Sequence, residues 1–473
     1  MEIFRNKKIY IAPKTPISVA FKEYLAQALD FEFLGFLDKV KEDNDVSKVE
    51  QIIEKEFDYI VIISPNHYKM IYSDYLKLIN KNKISVILIE HNKYNILKKV
   101  VETRISKIEK YSKEIDEKCE KRKSIAFISK GFIDSNNKYL FLYLLKEKID
   151  CYIITDNKEQ IEELKEFDIP YYELESDEGD KAIARAKYLI FDQANYTYFY
   201  ISPNQKTVQL WHGVGLKKMS KLTNIEYDYF ISTSNWTNET NFKNVFCAKE
   251  YLDCGYPRND IFFKDEEPID LIFCNKEIYS LVKNKKHKKI ALYMPTIREY
   301  LFNKNMNLKE FDIVPIDFIK LNEELLNEDI LLIVKLHPSV MEFFKELIVN
   351  EEFSNIKFHP TQGDIYPIIK YVDVLITDYS SIAYDFLLLD RPIIFFDYDR
   401  ELYEKNMGGF LFDYDEYSPG INVKTEVELI IALKFLEDCF FIKREEIKDK
   451  FFKENGLVSK TLLNRILIQS SKL

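Results

Sequence analysis

The sequence predicts an α/β protein in which parallel sheets are covered by helices. Short runs of β-branched or aromatic residues alternate with longer segments of helical period, and this order is typical of parallel sheets flanked by helices. The chain has 473 residues, 46% of them hydrophobic, with only 11 Gly and 14 Pro. It therefore has enough apolar material for two or three packed domains, and a low-complexity or linker-like chain is excluded.

The first predicted domain covers residues 1–95. It supplies the strand-like runs KKIYIA, FEFLGFLD, YIVIIS and ISVILIE and the helical run VAFKEYLAQAL, which indicates a small Rossmann-like unit. The segment KIYIAPKTPIS stands where a dinucleotide-binding turn would carry GxGxxG, so the sequence does not predict diphosphate binding there. We interpret this domain as an accessory unit whose role the sequence leaves open.

Residues 96–123 are predicted to form a linker helix. They contain no Gly or Pro and are mostly charged, which indicates an exposed helix that bridges two domains. The Lys and Arg residues are compatible with an anionic membrane surface, but a solvated helix face is the more common origin of such a pattern.

Two further α/β domains are predicted at 124–265 and 266–473. The first of them contains the runs SIAFIS, DCYIIT, AKYLIFD, TVQLWHG and YDYFISTS. The second contains KIALYMP, DILLIVKLHP, IKFHP, VDVLITDYSS and RPIIFFDYD, followed by a helical pattern from about 426 to the last residue. Two doubly wound domains side by side imply a cleft between them.

Charge and cysteine usage exclude several classes of protein. The 78 acidic and 68 basic side chains give a net charge of -10, which disfavours broad attraction to nucleic acid. The six cysteines show no CxxC spacing, so we expect reduced thiols in a cytosol. No secretion signal is visible and no apolar run approaches the roughly 20 residues of a spanning helix, so we expect a protein that is soluble or merely membrane-associated.

No metal site is predicted. The histidines show neither HxxxH nor HExxH spacing, which a dedicated zinc site would usually require. The triplet DYD occurs at 397–399 and at 413–415, but short acidic pairs arise often by chance. We treat both as structural or as polar contacts of a donor molecule rather than as metal ligands.

Candidate site residues follow the strand-like runs directly, because ligands of open parallel sheets bind outside the carboxyl ends of the strands. Five such junctions stand out: QLWHGVGLKKM, YMPTIRE, KLHP, TDYSSIAYDFLLLD and FFDYD. All but the first of them fall in the last domain.

Ser380 and Ser381 are predicted to lie at a helix start, where backbone N–H groups and hydroxyls can hold a phosphate. Taken alone, a Ser at this position is usually a plain helix cap. Arg298 and Lys335 follow neighbouring strands and could converge on the same point, where the two cations would offset a diphosphate's charge without a metal ion. Each of them alone is also compatible with an ordinary surface cation.

His212 and His337 are the candidate groups for proton transfer. His212 follows a strand of the second domain and His337 a strand of the third, which would set one imidazole on each wall of the cleft. The alternative is that both rings are satisfied by local hydrogen bonds, which is the reading we give to the other four histidines.

These junctions together resemble the CDP-glycerol glycerophosphotransferases of the teichoic acid polymerase type, which adopt the GT-B fold. The matching segments occur in order over about 190–415: QLWHGVGLKKM, DYFISTS, GYPRND, YMPTIRE, KLHP and TDYSSIAYDFLLLDRPIIFFDYD. The resemblance implies two Rossmann-like domains facing a cleft, with the first 120 residues outside it. The chain departs from the family's usual residues at four positions: Val214, Gly215, Ile297 and Lys335, where Arg is frequent.

The resemblance also implies a reaction. An acceptor hydroxyl would attack the phosphorus that carries glycerol in a CDP-glycerol donor, CMP would leave and a phosphodiester would form, with no cofactor. His212 would be the general base, and His337 would contact the donor phosphate or assist its departure. The implied donor-binding residues are Arg298, Lys335, Thr377, Asp378, Ser380, Ser381, Asp385 and Thr296. The implied acceptor-side residues are Gly213 and Lys217.

The expected partners are a CDP-alditol donor and a glycan or lipid-linked acceptor, in teichoic-acid-like, capsule or other surface polysaccharide synthesis. The expected location is the cytoplasm, at the inner face of the cell membrane where the acceptor's lipid recruits the enzyme. Three alternatives stay open at this point: a CDP-ribitol donor, a GT-B enzyme that uses a nucleotide sugar, and a noncatalytic nucleotide-binding scaffold.

Overall fold

The computed structural model contains three units, each built on one six- or seven-stranded sheet, and it confirms the predicted α/β class. It describes residues 1–468 except 39–42, 65–66, 91–92, 97, 119, 121, 130, 194–199, 220, 223–224, 303–312, 351 and 454–455. Cys119, parts of the predicted linker and residues 194–199 therefore lie outside the described residues. The predicted domain boundaries stay a prediction.

The N-terminal unit has the strand order β3-β2-β1-β4-β5-β6, in which β6 alone is antiparallel to its neighbour. Since β6 begins a few residues after β5, a parallel crossover between them is not possible. The strands are β1 Lys8–Ala12, β2 Glu32–Leu37, β3 Val46–Ser47, β4 Tyr59–Ile62, β5 Ile84–Glu90 and β6 Lys93–Ile96. The helices are α1 Pro16–Ala28 and α2 Tyr68–Leu76.

Helix α3, Lys98–Glu117, occupies the predicted linker. It is less exposed than the charge pattern indicates, because it packs on the middle unit and buries Ile108 and Ser112 completely. The Tyr111 hydroxyl donates to Asp177 Oδ1 at 2.9 Å and thereby ties the helix to the middle unit. The buried Ile108 shows that one face of this helix is packed against the protein and is not exposed to solvent.

The middle unit is a fully parallel sheet of order β13-β12-β11-β10-β7-β8-β9. Its central strands are apolar along their whole length because helices cover both faces. The strands are β7 Ile125–Ile128, β8 Cys151–Thr155, β9 Tyr171–Glu173, β10 Tyr188–Phe191, β11 Lys206–Gln209, β12 Glu226–Ser232 and β13 Cys247–Asp253. The helices are α4 Asn136–Lys146, α5 Lys158–Glu166, α6 Asp177–Arg185, α7 Asn235–Thr237 and α8 Lys243–Val245.

The C-terminal unit is a second fully parallel sheet, of order β16-β15-β14-β17-β18-β19. Its strands are β14 Lys289–Tyr293, β15 Ile330–Val334, β16 Ile356–Phe358, β17 Val374–Thr377, β18 Ile393–Phe396 and β19 Ile421–Val423. The helices from here to the end of the described chain are α9 Lys276–Lys283, α10 Glu299–Phe302, α11 Phe318–Asn327, α12 Pro338–Met341, α13 Lys345–Asn350, α14 Tyr366–Ile369, α15 Ile382–Phe386, α16 Arg400–Met407, α17 Tyr414–Tyr417, α18 Glu426–Lys434, α19 Phe441–Phe451 and α20 Val458–Leu462.

The last helix, α20, returns to the middle unit. Val458 and Leu462 are buried there in the same apolar cluster as Leu140 of α4. The carboxylate of Asp260 accepts the N–H groups of Val458 at 2.7 Å and Ser459 at 2.9 Å, which satisfies the free donors at the start of the helix. A division of the chain at 265 therefore does not assign this helix to the sheet on which it packs.

Candidate active site

A cavity of about 220 Å³ lies where the middle and C-terminal units meet. We call it the interunit cavity. The middle unit contributes the segment that follows β11, and the C-terminal unit contributes the segments that follow β14 and β17. The lining residues are Trp211, His212, Gly213, Gly215, Lys217, Met219, Thr296, Tyr379, Ser380, Ser381 and Tyr403. The structure therefore brings six of the predicted site residues together: His212, Gly213, Lys217, Thr296, Ser380 and Ser381.

The backbone around His212 is unusual. Trp211 has φ +54°, a left-handed conformation that is costly for a bulky side chain, and Gly213 has φ +149°. A Cβ on Gly213 would lie 2.7 Å from Ser381 Oγ and 3.1 Å from Ser381 Cβ. The loop thus approaches Ser381 so closely that only glycine fits, and this approach sets His212 beside the serines of the other unit.

Gly213→Ala is expected to destabilise the protein by about 2–4 kcal/mol, since both the backbone conformation and the contact with Ser381 oppose a methyl group. Gly408 is the matched control: its φ is +83° but a Cβ there meets nothing within 4 Å. Gly408→Ala should cost about 1 kcal/mol, for the backbone alone. Denaturant unfolding of both variants measures the difference, and equal losses would contradict the close approach.

Two hydrogen bonds hold His212, one at its ring and one at its backbone carbonyl. Its Nδ1 lies 3.2 Å from the carbonyl oxygen of Asp192, so the neutral tautomer that donates from Nδ1 leaves Nε2 as an acceptor. The Arg258 guanidinium donates to the His212 carbonyl at 2.8 Å. His212 is exposed toward the cavity, and desolvation by the neighbouring protein atoms lowers the pKa of its ring to about 4.

Ser380 and Ser381 follow β17 and precede the short helix α15. The Ser381 side chain makes no cap hydrogen bond, while Ser380 Oγ accepts the Ile382 N–H at 3.5 Å, which is at the limit for such a bond. Neither serine therefore forms the strong helix-capping hydrogen bond that was the alternative prediction for this position. Both hydroxyls line the cavity, opposite His212.

Arg298 is placed differently from the predicted diphosphate ligand. Its side chain is 2% exposed and binds Asp399 through Nε at 2.9 Å and through Nη2 at 2.7 Å. It also pairs with Asp378, whose carboxylate accepts the Thr296 N–H at 2.9 Å. Arg298 therefore fixes the turn that carries Thr296, and it does not line the interunit cavity. Asp399, in the first DYD triplet, is its structural counterion.

Lys335 is likewise already paired. Its Nζ donates to the Gly363 carbonyl at 2.6 Å and forms an ion pair with Asp134 of the middle unit at 2.9 Å. Thr377 is completely buried, and its hydroxyl donates to the Met294 carbonyl at 2.7 Å. Thr377 and Lys335 therefore support the site from behind, and neither lines the interunit cavity.

His337 lies outside the interunit cavity. It is exposed and lines a neighbouring small cavity together with Thr296 and Arg298. Its Nδ1 accepts the Ser339 N–H at 3.2 Å, which is the local satisfaction that the sequence analysis gave as the alternative. Desolvation lowers the pKa of His337. Thr296 borders both cavities, so the two histidines line adjacent cavities and not the same one.

Arg258 lies in the GYPRND segment and has no predicted role in the site. This side chain is 5% exposed and pairs with Asp385 of the C-terminal unit. Asp385 also accepts from Asn259 Nδ2 at 3.1 Å and from the Tyr366 hydroxyl at 2.6 Å, so it faces this cluster and not the interunit cavity. The conjunction of Arg and Asn in an otherwise apolar stretch was the available signal.

The ion pairs that join the two units include Arg258–Asp385, Lys138–Asp364 and Lys335–Asp134. Lys138 and Asp364 are completely buried, and the Tyr139 hydroxyl donates to the same carboxylate at 2.8 Å. Buried charges are tolerated only with such complete pairing. We call this set the buried ionic layer, and it fixes the orientation of the two walls of the cavity.

Two parallel-sheet units that meet around a cavity form a GT-B type fold, and the solved structure of the wall teichoic acid polymerase TagF has the same fold. The two superpose with a TM-score of 0.61 at 23% identity over 79% of this chain and 95% of that one. The chain belongs to the CDP-Glycerol:Poly(glycerophosphate) glycerophosphotransferase family, whose model matches residues 111–468. The family resemblance found in the motifs is thereby confirmed.

Named relatives agree with this family. The chain is 30% identical over 348 residues to a teichoic acid poly(glycerol phosphate) polymerase of Bacillus subtilis, a match that covers 66% of this chain and 43% of that protein. It is 28% identical over 342 residues to a teichoic acid glycerol-phosphate transferase of Staphylococcus aureus, covering 66% of this chain and 83% of that protein. The match thus spans less than half of the Bacillus relative.

Proposed function

We propose that this chain transfers glycerol phosphate from CDP-glycerol to a hydroxyl of a glycan or lipid-linked acceptor and releases CMP, in teichoic-acid-like polymer synthesis. The observation that carries the proposal is that His212 of the middle unit and Ser380 and Ser381 of the C-terminal unit line one cavity. The family and the named relatives supply the chemistry, and a TagF variant has been solved with CDPG.

His212 acts as the general base. Its Nε2 takes the proton of the acceptor hydroxyl while Nδ1–H keeps its bond to the Asp192 carbonyl. The acceptor oxygen bonds to the phosphorus that carries glycerol, and the bond from this phosphorus to the bridging oxygen breaks. CMP leaves with the electron pair of that bond, and a phosphodiester forms. Positioning and charge stabilisation provide most of the catalysis in such transfers.

The groups left to hold the donor diphosphate are mostly neutral. Ser380, Ser381 and Thr296 offer hydroxyls, and Thr296 Oγ1 is buried with no hydrogen-bond partner in the described part of the chain. Lys217 lines the cavity from the middle unit and supplies its cation. Arg298 and Lys335 act as positioning residues, because both already form ion pairs within the protein. Arg298 pairs with Asp378 and Asp399, and Lys335 pairs with Asp134.

The pH dependence of the reaction is expected to show the low pKa of His212. Since this pKa is about 4 and not the ordinary 6.5, the ring stays neutral down to about pH 4, and the acidic limb of kcat/KM should lie near there. The negative diphosphate favours the protonated ring in the complex, so the acidic limb of kcat should lie at higher pH. Initial rates over a pH series measure both limbs. A kcat/KM limb near 6.5 would contradict the desolvated environment.

The donor is tested with purified protein and a panel of activated substrates. CMP release from CDP-glycerol in the presence of a glycerol-phosphate-primed acceptor supports the proposal. One relative is named a teichoic acid poly(ribitol-phosphate) polymerase, 28% identical over 300 residues, so CDP-ribitol is the necessary comparison. Preference for CDP-ribitol, release of UDP from a UDP-sugar, or binding without turnover would each replace the proposal with one of the three alternatives.

We also propose that the protein works in the cytoplasm, at the inner face of the membrane, where a lipid-linked acceptor would bring it. In the described ranges, no helix combines the length and the apolar character needed to cross a bilayer. Cell fractionation with and without the lipid-linked acceptor tests this location, and a protein that is membrane-bound without acceptor would contradict the recruitment step.

A further inference from the structure

A second and larger cavity opens beyond the interunit cavity. It has a volume of about 510 Å³ and lies at the carboxyl ends of β18 and β19, where open parallel sheets bind ligands. The residues that follow the two strands and the first turns of α16 form its walls. We call it the outer cavity. The proposed transfer reaction uses none of the cations that line it.

Asp397 lines the outer cavity, and one oxygen of its carboxylate has no hydrogen-bond partner among the described residues. The residue is 2% exposed, and its Oδ1 accepts no hydrogen bond from the residues that the structure describes. Desolvation raises the pKa of this carboxyl, while the charges of Lys424 and Arg400 oppose the rise. A buried carboxylate oxygen without a donor is costly. The geometry therefore leaves a place for a ligand group that donates a hydrogen bond, such as a hydroxyl.

Two lysines supply the available positive charge. Lys405 and Lys424 line the outer cavity and form no ion pair with any described residue. Arg400 differs, since it pairs with Asp415 at 2.7 Å and with Glu404 at 3.1 Å. The two lysines thus line the same cavity as the unpaired oxygen of Asp397. A ligand that satisfies both needs an anionic group for the lysines and a hydrogen-bond donor for the carboxylate.

This combination selects one chemical class. A diphosphate has no hydroxyl that could donate a hydrogen bond to Asp397, and an uncharged sugar would leave Lys405 and Lys424 without a counterion. A polyol phosphate has one phosphate for the lysines and hydroxyls for the carboxylate. We propose that the outer cavity is a second binding site, separate from the transfer site, for a polyol phosphate unit such as glycerol phosphate.

Residues of helix α16 line both cavities. Tyr403 of this helix lines the interunit cavity, while Glu401 and Lys405 line the outer one. Asp399, at the edge of the outer cavity, accepts the hydroxyl of Tyr379 at 3.0 Å, and Tyr379 lines the interunit cavity. If the proposed transfer reaction holds, the ligand of the outer site belongs to the same chemical class as the units of the polymer that the enzyme extends.

The test is a titration of the intact protein with sn-glycerol 3-phosphate, followed by ligand-observed NMR, with no donor present. Lys405→Ala/Lys424→Ala is expected to weaken binding about tenfold, because it removes the charge-assisted contacts to the phosphate. Asp397→Asn should reduce the preference for glycerol 3-phosphate over inorganic phosphate. The matched control is Lys286→Ala/Lys320→Ala, which removes two exposed lysines that line neither cavity and should leave binding unchanged.

Three outcomes would overturn the proposal: no binding by the parent protein, equal binding by parent and Lys405→Ala/Lys424→Ala, or binding lost in Ser381→Ala and kept in that double variant, which would place the ligand in the interunit cavity. Thermal unfolding confirms that each variant is folded. Since the titration needs no turnover, its failure is distinct from that of the proposed function. Glycerol phosphate binding without CMP release would support the outer site and contradict the proposed transfer reaction. CMP release without glycerol phosphate binding would support the transfer reaction and contradict the outer site.

Discussion

Replacing His212 with alanine is expected to lower kcat about a thousandfold, the range in which loss of a general base falls. The donor contacts from Ser380 and Ser381 are unaffected by this change, so CDP-glycerol binding should persist. His212→Asn should behave like the alanine variant, because its amide cannot take a proton. CMP release under saturating donor measures kcat, and calorimetric titration with CDP-glycerol measures donor binding.

Two other histidines serve as comparisons. His287→Ala removes a partly buried ring whose Nδ1 lies 3.0 Å from Asp329. His287 lines neither the interunit nor the outer cavity, so this change should leave kcat unchanged. His337→Ala should cost less than His212→Ala, since His337 borders the smaller cavity. If His212→Ala turned over donor as fast as the parent, or if His337→Ala were the more damaging change, the assignment of the base to His212 would be wrong.

Arg258→Met is expected to destabilise the protein by about 3–5 kcal/mol, the usual cost of removing one partner of a buried ion pair. The variant leaves Asp385, 1% exposed, with a charge inside the buried ionic layer. It also removes the donor to the His212 carbonyl, so the protein that stays folded should have a lower kcat. Urea unfolding gives the stability, and CMP release gives the rate.

A double variant separates lost pairing from lost packing. Arg258→Met/Asp385→Leu removes both charges, so it should recover part of the stability lost in Arg258→Met, although the donors Asn259 and Tyr366 lose their acceptor. Lys345→Met is the exposed control: its pair with Glu342 lies in solvent, and its loss should cost less than about 1 kcal/mol. If Arg258→Met were as mild as this control, the ionic layer would not stabilise the interface.

The fold was predictable because its determinants are local. Strands such as β15 and β18 are uninterrupted apolar runs, and the rule that ligands lie beyond strand ends located His212, Ser380 and Ser381. The same rule cannot show whether a residue at a strand end is still available to a ligand. Arg298 and Lys335 have the predicted positions, but their charges are used within the protein.

The partners of these cations could not be predicted because they are far away along the chain. Arg298 binds Asp399, 101 residues later, and Arg258 binds Asp385, 127 residues later. Which carboxylate reaches which guanidinium depends on how two sheets are oriented, and no periodicity in the sequence records that. The position of His337 beside a different cavity from His212 has the same origin.

The return of α20 to the middle unit has a consequence for biosynthesis. The carboxylate of Asp260 receives its partner Val458 only 198 residues later, and the apolar groove beside α4 is filled by the same late segment. On the ribosome, domains usually fold as their residues emerge. The middle unit, however, cannot complete its apolar cluster until the C-terminal unit and α20 have been translated. We expect chaperones to meet this nascent chain chiefly at the groove that α20 eventually closes.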